Sequence, residues 1–284
     1  NKIHEVERFI ARADLSDEAR AQVEDQLREA IVLRDQGDAD LATLLAKSSN
    51  VAAAKIGMHI GAENVWQGYQ KFGLGDRVAS GFTGESMPLL RPYSQWGEIA
   101  TATASYGYGM SLNALHMVRA YAGLANDGLM PPLRLLRDAP KQPPQRAISK
   151  QTAQQVRLML EAVVTRDGTG SRAAIPGYRV AGKTGTVRKV AATGGYDAER
   201  HQSVFIGMVP AENPRLVGLV MIDEPGAGHY YGGVVSAPVF STVMQGALRL
   251  LQIPPDACAQ NCTPRMPLPQ MAMPAGVAPI GPKT

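Results

Sequence analysis

Apolar residues recur at helical spacing through much of the chain. Leu15, Ala19, Val23 and Leu27 stand four apart behind a capping Ser16 and an acidic first turn, Asp17 and Glu18, which predicts an amphipathic helix over 14–33. Val51-Ala52-Ala53-Ala54-Lys55-Ile56 starts another helix, stopped by Gly61, and 66–72 reads as a third, ending at Gly73. The stretch 75–94 is rich in Gly, Pro and Ser and predicts an irregular surface segment. A helix over 112–125 stops at Asn126-Asp127-Gly128, and a Pro-rich connection follows over 131–144. One more helix is expected over 150–165, then the turn Asp167-Gly168-Thr169-Gly170.

Beyond that turn the pattern changes. Strand-like stretches at 178–186, 203–209 and 216–222 precede a helix from about 237 to 251. Helices on both sides of adjacent antiparallel strands make an α+β architecture. From Pro254 the chain is rich in Pro and Met without periodicity, which predicts a disordered tail. With 284 residues, 45% of them hydrophobic, the chain can bury a full core as one large domain, or as a domain plus tail.

Charge and cysteines narrow the function classes. The net charge of +4 is spread along the sequence with no dense Lys/Arg run, which argues against a nucleic-acid partner. No apolar run approaches the ~20 residues that span a bilayer. Cys258 and Cys262 are compatible with a local disulfide and equally with two free thiols. The five histidines are scattered, and none pairs with another at metal-ligand spacing, so neither metal nor cofactor is expected.

Two short motifs carry the candidate chemistry. Ser48-Ser49-Asn50 alone reads as a helix cap, and Lys183-Thr184-Gly185-Thr186 alone reads as an ordinary strand end. Order, spacing and context change that. Tyr106-Gly107-Tyr108-Gly109 lies between them, and Asp223-Glu224-Pro225 and Tyr230-Tyr231-Gly232-Gly233 follow. Together these resemble the Ser-x-Asn and Lys-Thr-Gly signatures of penicillin-binding proteins and serine β-lactamases. The stretches 181–186, 203–210 and 232–240 narrow the resemblance to class B penicillin-binding proteins of the septal, monofunctional transpeptidase type. The sequence does not resemble class A β-lactamases and offers no counterpart of their Glu base loop.

The resemblance covers about residues 40–253 and implies an antiparallel sheet flanked by helices, the penicillin-binding-protein/serine β-lactamase-like transpeptidase fold, incomplete at its N-terminus. Residues 1–39 do not resemble the family, and 254–284 form the tail. The family's third signature, Ser-x-x-Lys, is absent: no serine is followed three positions on by lysine, and Thr186-Val187-Arg188-Lys189 is only a threonine imitation. The expectation is a truncated domain whose nucleophile lies upstream of Asn1. The alternative is a catalytically inactive homologue acting as a divisome scaffold or muropeptide-binding module.

Acyl transfer from a peptide ending in D-Ala-D-Ala needs a nucleophile, a proton carrier and donors aimed at the developing oxyanion. Ser48 and Lys183 suit the proton carrier, and Asn50 suits orientation of a substrate amide and of a lysine. Thr184 and Thr186 share one face of a strand and can bind a carboxylate along its edge, while Gly185 leaves room for substrate backbone. By resemblance, Arg188, Tyr108, Tyr196, Tyr230 and Tyr231 line the cleft, and main-chain donors near Thr186 complete an oxyanion hole. The competing assignment packs Tyr106 and Tyr108 in the core. Resemblance further implies peptidoglycan stem peptides and β-lactams as ligands, division-complex membrane proteins and a glycosyltransferase as partners, and the periplasmic face of the bacterial inner membrane as location, with an N-terminal anchor.

Overall fold

The computed structural model describes residues 41–81, 83–136, 142–191, 195–226 and 228–257. The helix expected over 14–33, both cysteines and residues 258–284 lie outside the described residues. In chain order the helices are α1 (Leu41–Lys47), α2 (Asn50–Ile60), α3 (Ala62–Lys71), α4 (Glu98–Ala104), α5 (Ala114–Ala125), α6 (Lys150–Glu161) and α7 (Gly232–Leu250). Two-residue strands β1 (Leu89–Leu90) and β2 (Met110–Ser111) pair with each other, as do β3 (Leu129–Met130) and β4 (Gln145–Arg146). The main sheet holds β5 (Ala181–Val190), β6 (Tyr196–Val209) and β7 (Leu216–Asp223), antiparallel in the order β5-β6-β7.

Alternation along these strands divides the sheet into two apolar faces. Phe205, Val209, Leu216 and Val220 lie on one face and pack with Ala237, Phe240 and Leu248 of α7. Phe205 and Phe240 are fully buried, with ring centroids 4.8 Å apart. Ala181, Met208 and Val217 lie on the other face, against Leu45 of α1, Tyr121 and Leu124 of α5, and Val156 and Leu160 of α6. Helices therefore cover both sides of an antiparallel sheet, the α+β arrangement expected from the sequence. Among the described residues no strand pairs the outer edge of β7, and no helix is long and apolar enough to cross a membrane.

Several boundaries differ from the sequence expectation. Lys183 is the third residue of β5 rather than the end of a strand from 178, and β5 runs on through Val190. Residues 178–180 lie before β5; among them only an isolated bridge, Ile175 to Tyr178, occurs. The last helix starts at Gly232, five residues earlier than the pattern indicated, and continues through Pro238. Helix α4 was not anticipated; three of its seven residues are Ala and two Thr, too few large apolar side chains to draw a stripe. The tail boundary at 254 also shifts. Asp256 accepts the main-chain N–H of Arg179 at 2.7 Å and Ala257 N–H donates to Gly177 O, so the chain remains tied to the body through 257.

Two charged clusters absent from the sequence reading brace the helical side. Glu161, at the end of α6, receives Arg179 through two bonds of 2.7 and 2.9 Å. Buried Arg157 donates to Asp127 at 3.0 Å and to Leu124 O at 2.8 Å, holding the end of α5 against α6. Both use the planar guanidinium fork that makes arginine suited to such joints.

Candidate active site

The Ser48-Ser49-Asn50 segment is a tight turn between α1 and α2. Its two serines divide the work. Ser49 caps α2, its Oγ accepting Ala52 N–H at 3.3 Å. Ser48 adopts a left-handed backbone, φ 57°, a conformation that costs an ordinary residue roughly 1–2 kcal/mol. Main-chain bonds from Ser48 N–H to Leu45 O and from Ser49 N–H to Leu44 O, both 3.2 Å, hold the turn. Capping is thus a real role of the motif, but it falls to the middle residue and leaves Ser48 free to turn toward the sheet. Asn50 is the half-buried first residue of α2.

Lys183 leaves β5 on the face that carries Ala181 and meets Ser48, 135 positions away in the chain. Its Nζ donates to Ser48 Oγ at 2.7 Å and to Thr184 O at 3.2 Å. Burial pushes the Lys183 ammonium down from the usual 10.5 to about 8, because a charge withdrawn from water favours losing its proton. The ammonium donating into Ser48 Oγ leaves the serine's own hydrogen available to a third group.

Thr184 and Thr186 stand on the opposite face of β5, as their spacing predicted, and the structure gives each a partner. Thr184 Oγ1 lies 2.8 Å from Thr169 Oγ1, and Thr186 Oγ1 accepts the N–H of Gly232 at 3.2 Å. A hydroxyl has one hydrogen and two lone pairs. Gly232 donating to Thr186 leaves that threonine its hydrogen for a ligand, and Thr184 keeps its own in the arrangement in which Thr169 is the donor of the pair; the other arrangement spends it on Thr169. Gly185 between them faces Val204; an added Cβ would meet Val204 Cβ at an ordinary 3.5 Å, so packing among the described residues does not demand glycine here.

Thr169 joins three elements. Its N–H donates to Ala46 O of α1 at 3.2 Å, its hydroxyl meets Thr184 of β5, and its carbonyl lies under the first turn of α7. A Cβ at Gly233 would come within 2.1 Å of that carbonyl, and one at Gly232 within 2.2 Å of Val204 O. The paired glycines let α7 begin directly on the sheet. The sequence marks 167–170 as a turn. A hydroxyl residue between two glycines, 15 positions before Thr184, was the available signal for a role beyond turning.

Five tyrosines form three ring contacts. Tyr108, in the turn after α4, meets Tyr196 edge-on at 5.2 Å, and Tyr106 packs on Tyr108 at 5.7 Å. Tyr106 and Tyr108 are half-buried, which excludes the core assignment. Burial, reinforced by Tyr196, pushes the Tyr108 phenol up, and the Arg188 guanidinium pulls it the other way, which brings Arg188 within electrostatic reach of this wall. Tyr230 and Tyr231, at the start of α7, have ring centroids 4.6 Å apart and hydroxyls 3.4 Å apart. Both are near the threonine edge, because Gly232 follows them directly. Beside this wall Lys189 pairs with Asp223 at 2.9 Å and Glu224 at 2.5 Å, tying β5 to the end of β7.

Comparison with known proteins shows the family. Residues 17–245 match the penicillin binding protein transpeptidase domain, so the family match begins upstream of residue 40, where the resemblance read from the sequence starts. The chain is 43% identical over 213 residues to the probable peptidoglycan D,D-transpeptidase PbpC of Pseudomonas aeruginosa, covering 75% of this chain and 38% of that protein. It is 42% identical over 216 residues to the probable peptidoglycan D,D-transpeptidase PenA of Neisseria gonorrhoeae, covering 76% and 37%. The peptidoglycan D,D-transpeptidase FtsI of Escherichia coli is 39% identical over 217 residues, with the same coverage of 76% and 37%. The chain thus spans well under half the length of these curated relatives. Among solved structures, the apo transpeptidase domain of Burkholderia pseudomallei penicillin-binding protein 3 superposes with a TM-score of 0.70 at 43% identity, covering 76% of this chain and 66% of that one. A sheet with helices on both sides, Ser48 carried to Lys183 across its face, and this level of identity place the chain in the penicillin-binding-protein transpeptidase family, among the class B enzymes.

Proposed function

We propose that the protein carrying this domain cross-links peptidoglycan stem peptides by D-Ala-D-Ala transpeptidation during septal wall synthesis, and that β-lactams occupy the same cleft. The acyl-enzyme forms on a serine outside residues 1–284. The observation that carries the proposal is the 2.7 Å contact between Lys183 Nζ and Ser48 Oγ. In acylation the nucleophilic serine bonds to the penultimate D-Ala carbonyl carbon and the terminal D-Ala leaves as an amine, which must gain a proton. Ser48 gives that proton from its hydroxyl and recovers one from the Lys183 ammonium, and the proton that the nucleophilic serine loses as its O–H bond breaks restores the ammonium. When an acceptor amine attacks the acyl ester, the proton it loses passes through Ser48 and Lys183 in reverse, and the departing serine oxygen regains one.

The remaining residues position the substrate. Thr184 and Thr186 give their hydroxyl hydrogens to its carboxylate, Gly185 admits its backbone, and Asn50 orients the adjoining amide. Arg188, Tyr108, Tyr196, Tyr230 and Tyr231 line the cleft. Relatives named as peptidoglycan D,D-transpeptidases support this reading, and so does their named FtsI member for a place in division. Work at the periplasmic face of the inner membrane, beside division-complex membrane proteins and a glycosyltransferase, follows from the same reading. A matched Burkholderia ambifaria structure titled as a peptidoglycan glycosyltransferase points to the same pathway.

The test is reaction of the full-length protein with a fluorescent penicillin. A stoichiometric adduct on a serine outside residues 1–284 is expected, slowed about 10²- to 10⁴-fold by Lys183→Ala. Absence of any adduct on folded full-length protein would refute the enzyme and leave the scaffold reading.

A further inference from the structure

His201 belongs to no motif and is one of five scattered histidines. In the fold it is buried on β6, directly opposite Arg188 of β5 and two residues before Ser203. Its imidazole stacks on the Tyr230 ring with centroids 4.1 Å apart and planes only 13° from parallel. Tyr230 in turn packs at a 35° tilt against Tyr231, which is 52% exposed. The three rings form a column running from the sheet outward. Ser203, on the same face of β6, donates its hydroxyl hydrogen to the Tyr230 carbonyl.

The base of that column is held at several points. Nδ1 of His201 lies 3.0 Å from Glu199 O, which sets the ring's direction, and His201 O accepts Glu224 N–H at 2.9 Å. Lys189 grips Glu224 and Asp223 from β5. Above the base, by contrast, Tyr230 sits on the connection between β7 and α7, which contains Gly226 and Gly228 and whose described residues form neither helix nor strand. A side chain on such a segment takes its rotamer from what it packs against. The imidazole is the flat surface recorded beneath it.

We propose that His201 is a positioning residue that sets the Tyr230 and Tyr231 wall of the cleft, and through it the affinity for acyl donors, without touching the substrate. The proposal rests on the transpeptidase reading above. It assigns His201 an effect on reversible binding and not on the bond-making step, because the rings stand beside the ligand while Ser48 and Lys183 handle the proton. A planar ring is what the position needs. Phenylalanine supplies one and alanine does not.

The experiment measures, on the full-length protein, the dissociation constant of the reversible penicillin complex and the first-order acylation constant for wild type, His201→Ala and His201→Phe. His201→Ala should weaken reversible binding about 2- to 10-fold, the value of one aromatic stacking contact, with acylation of the bound complex within about 2-fold of wild type. His201→Phe should restore most of the affinity. General destabilisation would reduce the acylatable fraction and leave the dissociation constant of the folded remainder unchanged, so a folding defect is read separately. Unchanged affinity in His201→Ala, an equal loss in His201→Phe, or a loss confined to the acylation constant would each overturn the proposal. In all three cases wild-type acylation would still stand, so the enzyme reading fails only if wild type itself forms no adduct.

Discussion

Replacing Thr169 by valine tests whether the Thr169–Thr184 hydroxyl pair serves the substrate or only the fold. Valine keeps the branched shape and the main-chain bond to Ala46 O, so the turn that links α1, β5 and α7 stays in place. What disappears is the 2.8 Å bond to Thr184 Oγ1. A neutral hydrogen bond of this kind is worth about 0.5–1.5 kcal/mol net. If its function is to leave the Thr184 hydrogen aimed outward, acylation efficiency should fall about 2- to 10-fold. Thr184→Val should cost more, about 10- to 100-fold, because it removes a bond of ~1.5–3 kcal/mol to a charged carboxylate. The informative protein is the double variant. If Thr169 acts only through Thr184, adding Thr169→Val to Thr184→Val should cause no further loss. The assay is the second-order rate of labelling by a fluorescent penicillin, with thermal unfolding as a control. An equal additional loss in the double variant would show that Thr169 acts through the position of its loop, and the hydroxyl relay would be wrong.

Four further outcomes are expected. Because the folded pKa of Lys183, about 8, lies below its ordinary 10.5, the folded chain binds fewer protons than the unfolded one between those values. Stability should therefore rise with pH across about 8 to 10.5 as the cost of the buried charge is relieved, and Lys183→Met should lose that rise in denaturant titrations; identical pH slopes for the two proteins would refute it. The same deprotonation should slow acylation above about pH 8, since the relay needs the ammonium, and a flat rate to pH 10 would contradict the relay. Phe240→Ala should destabilise the domain by about 3–5 kcal/mol, because it empties the contact with Phe205 between α7 and the sheet; a loss under 1 kcal/mol by urea unfolding would show that the core closes over the gap. Glu161→Ala should cost about 1.5–3 kcal/mol, since it strips both charged bonds from Arg179, whose side chain is 25% exposed and can recover some water; stability unchanged within error would assign that pair no role.

Periodicity and short motifs carried much of this protein. The 3.6-residue pattern located α2, α3, α5 and α6 to within a few residues, and Gly61 and Asn126 marked the ends of α2 and α5. The strands of the main sheet were legible as short runs, those of β6 and β7 almost continuously apolar because helices cover both faces of the sheet. Helix α4 was not, having almost no large apolar side chains, and the first turn of α7 was hidden because Gly232 and Gly233 are poor helix formers that only close contact with Val204 O and Thr169 O explains. Ser48, Lys183 and the threonine pair were chosen from resemblance and spacing, yet what joins them is tertiary. Local sequence determines a cap and a strand. Only packing across 135 residues turns Ser48 toward Lys183, buries the ammonium and lowers its pKa. Thr169 offered only its place between two glycines, and His201 no local signal at all, since a threonine in a turn and a histidine in a strand are ordinary until the sheet places a hydroxyl at 2.8 Å from one and a tyrosine ring at 4.1 Å from the other. Local propensity acts over a few residues, whereas both contacts close between segments distant in the chain, and so they exist only once the sheet and α7 have come together.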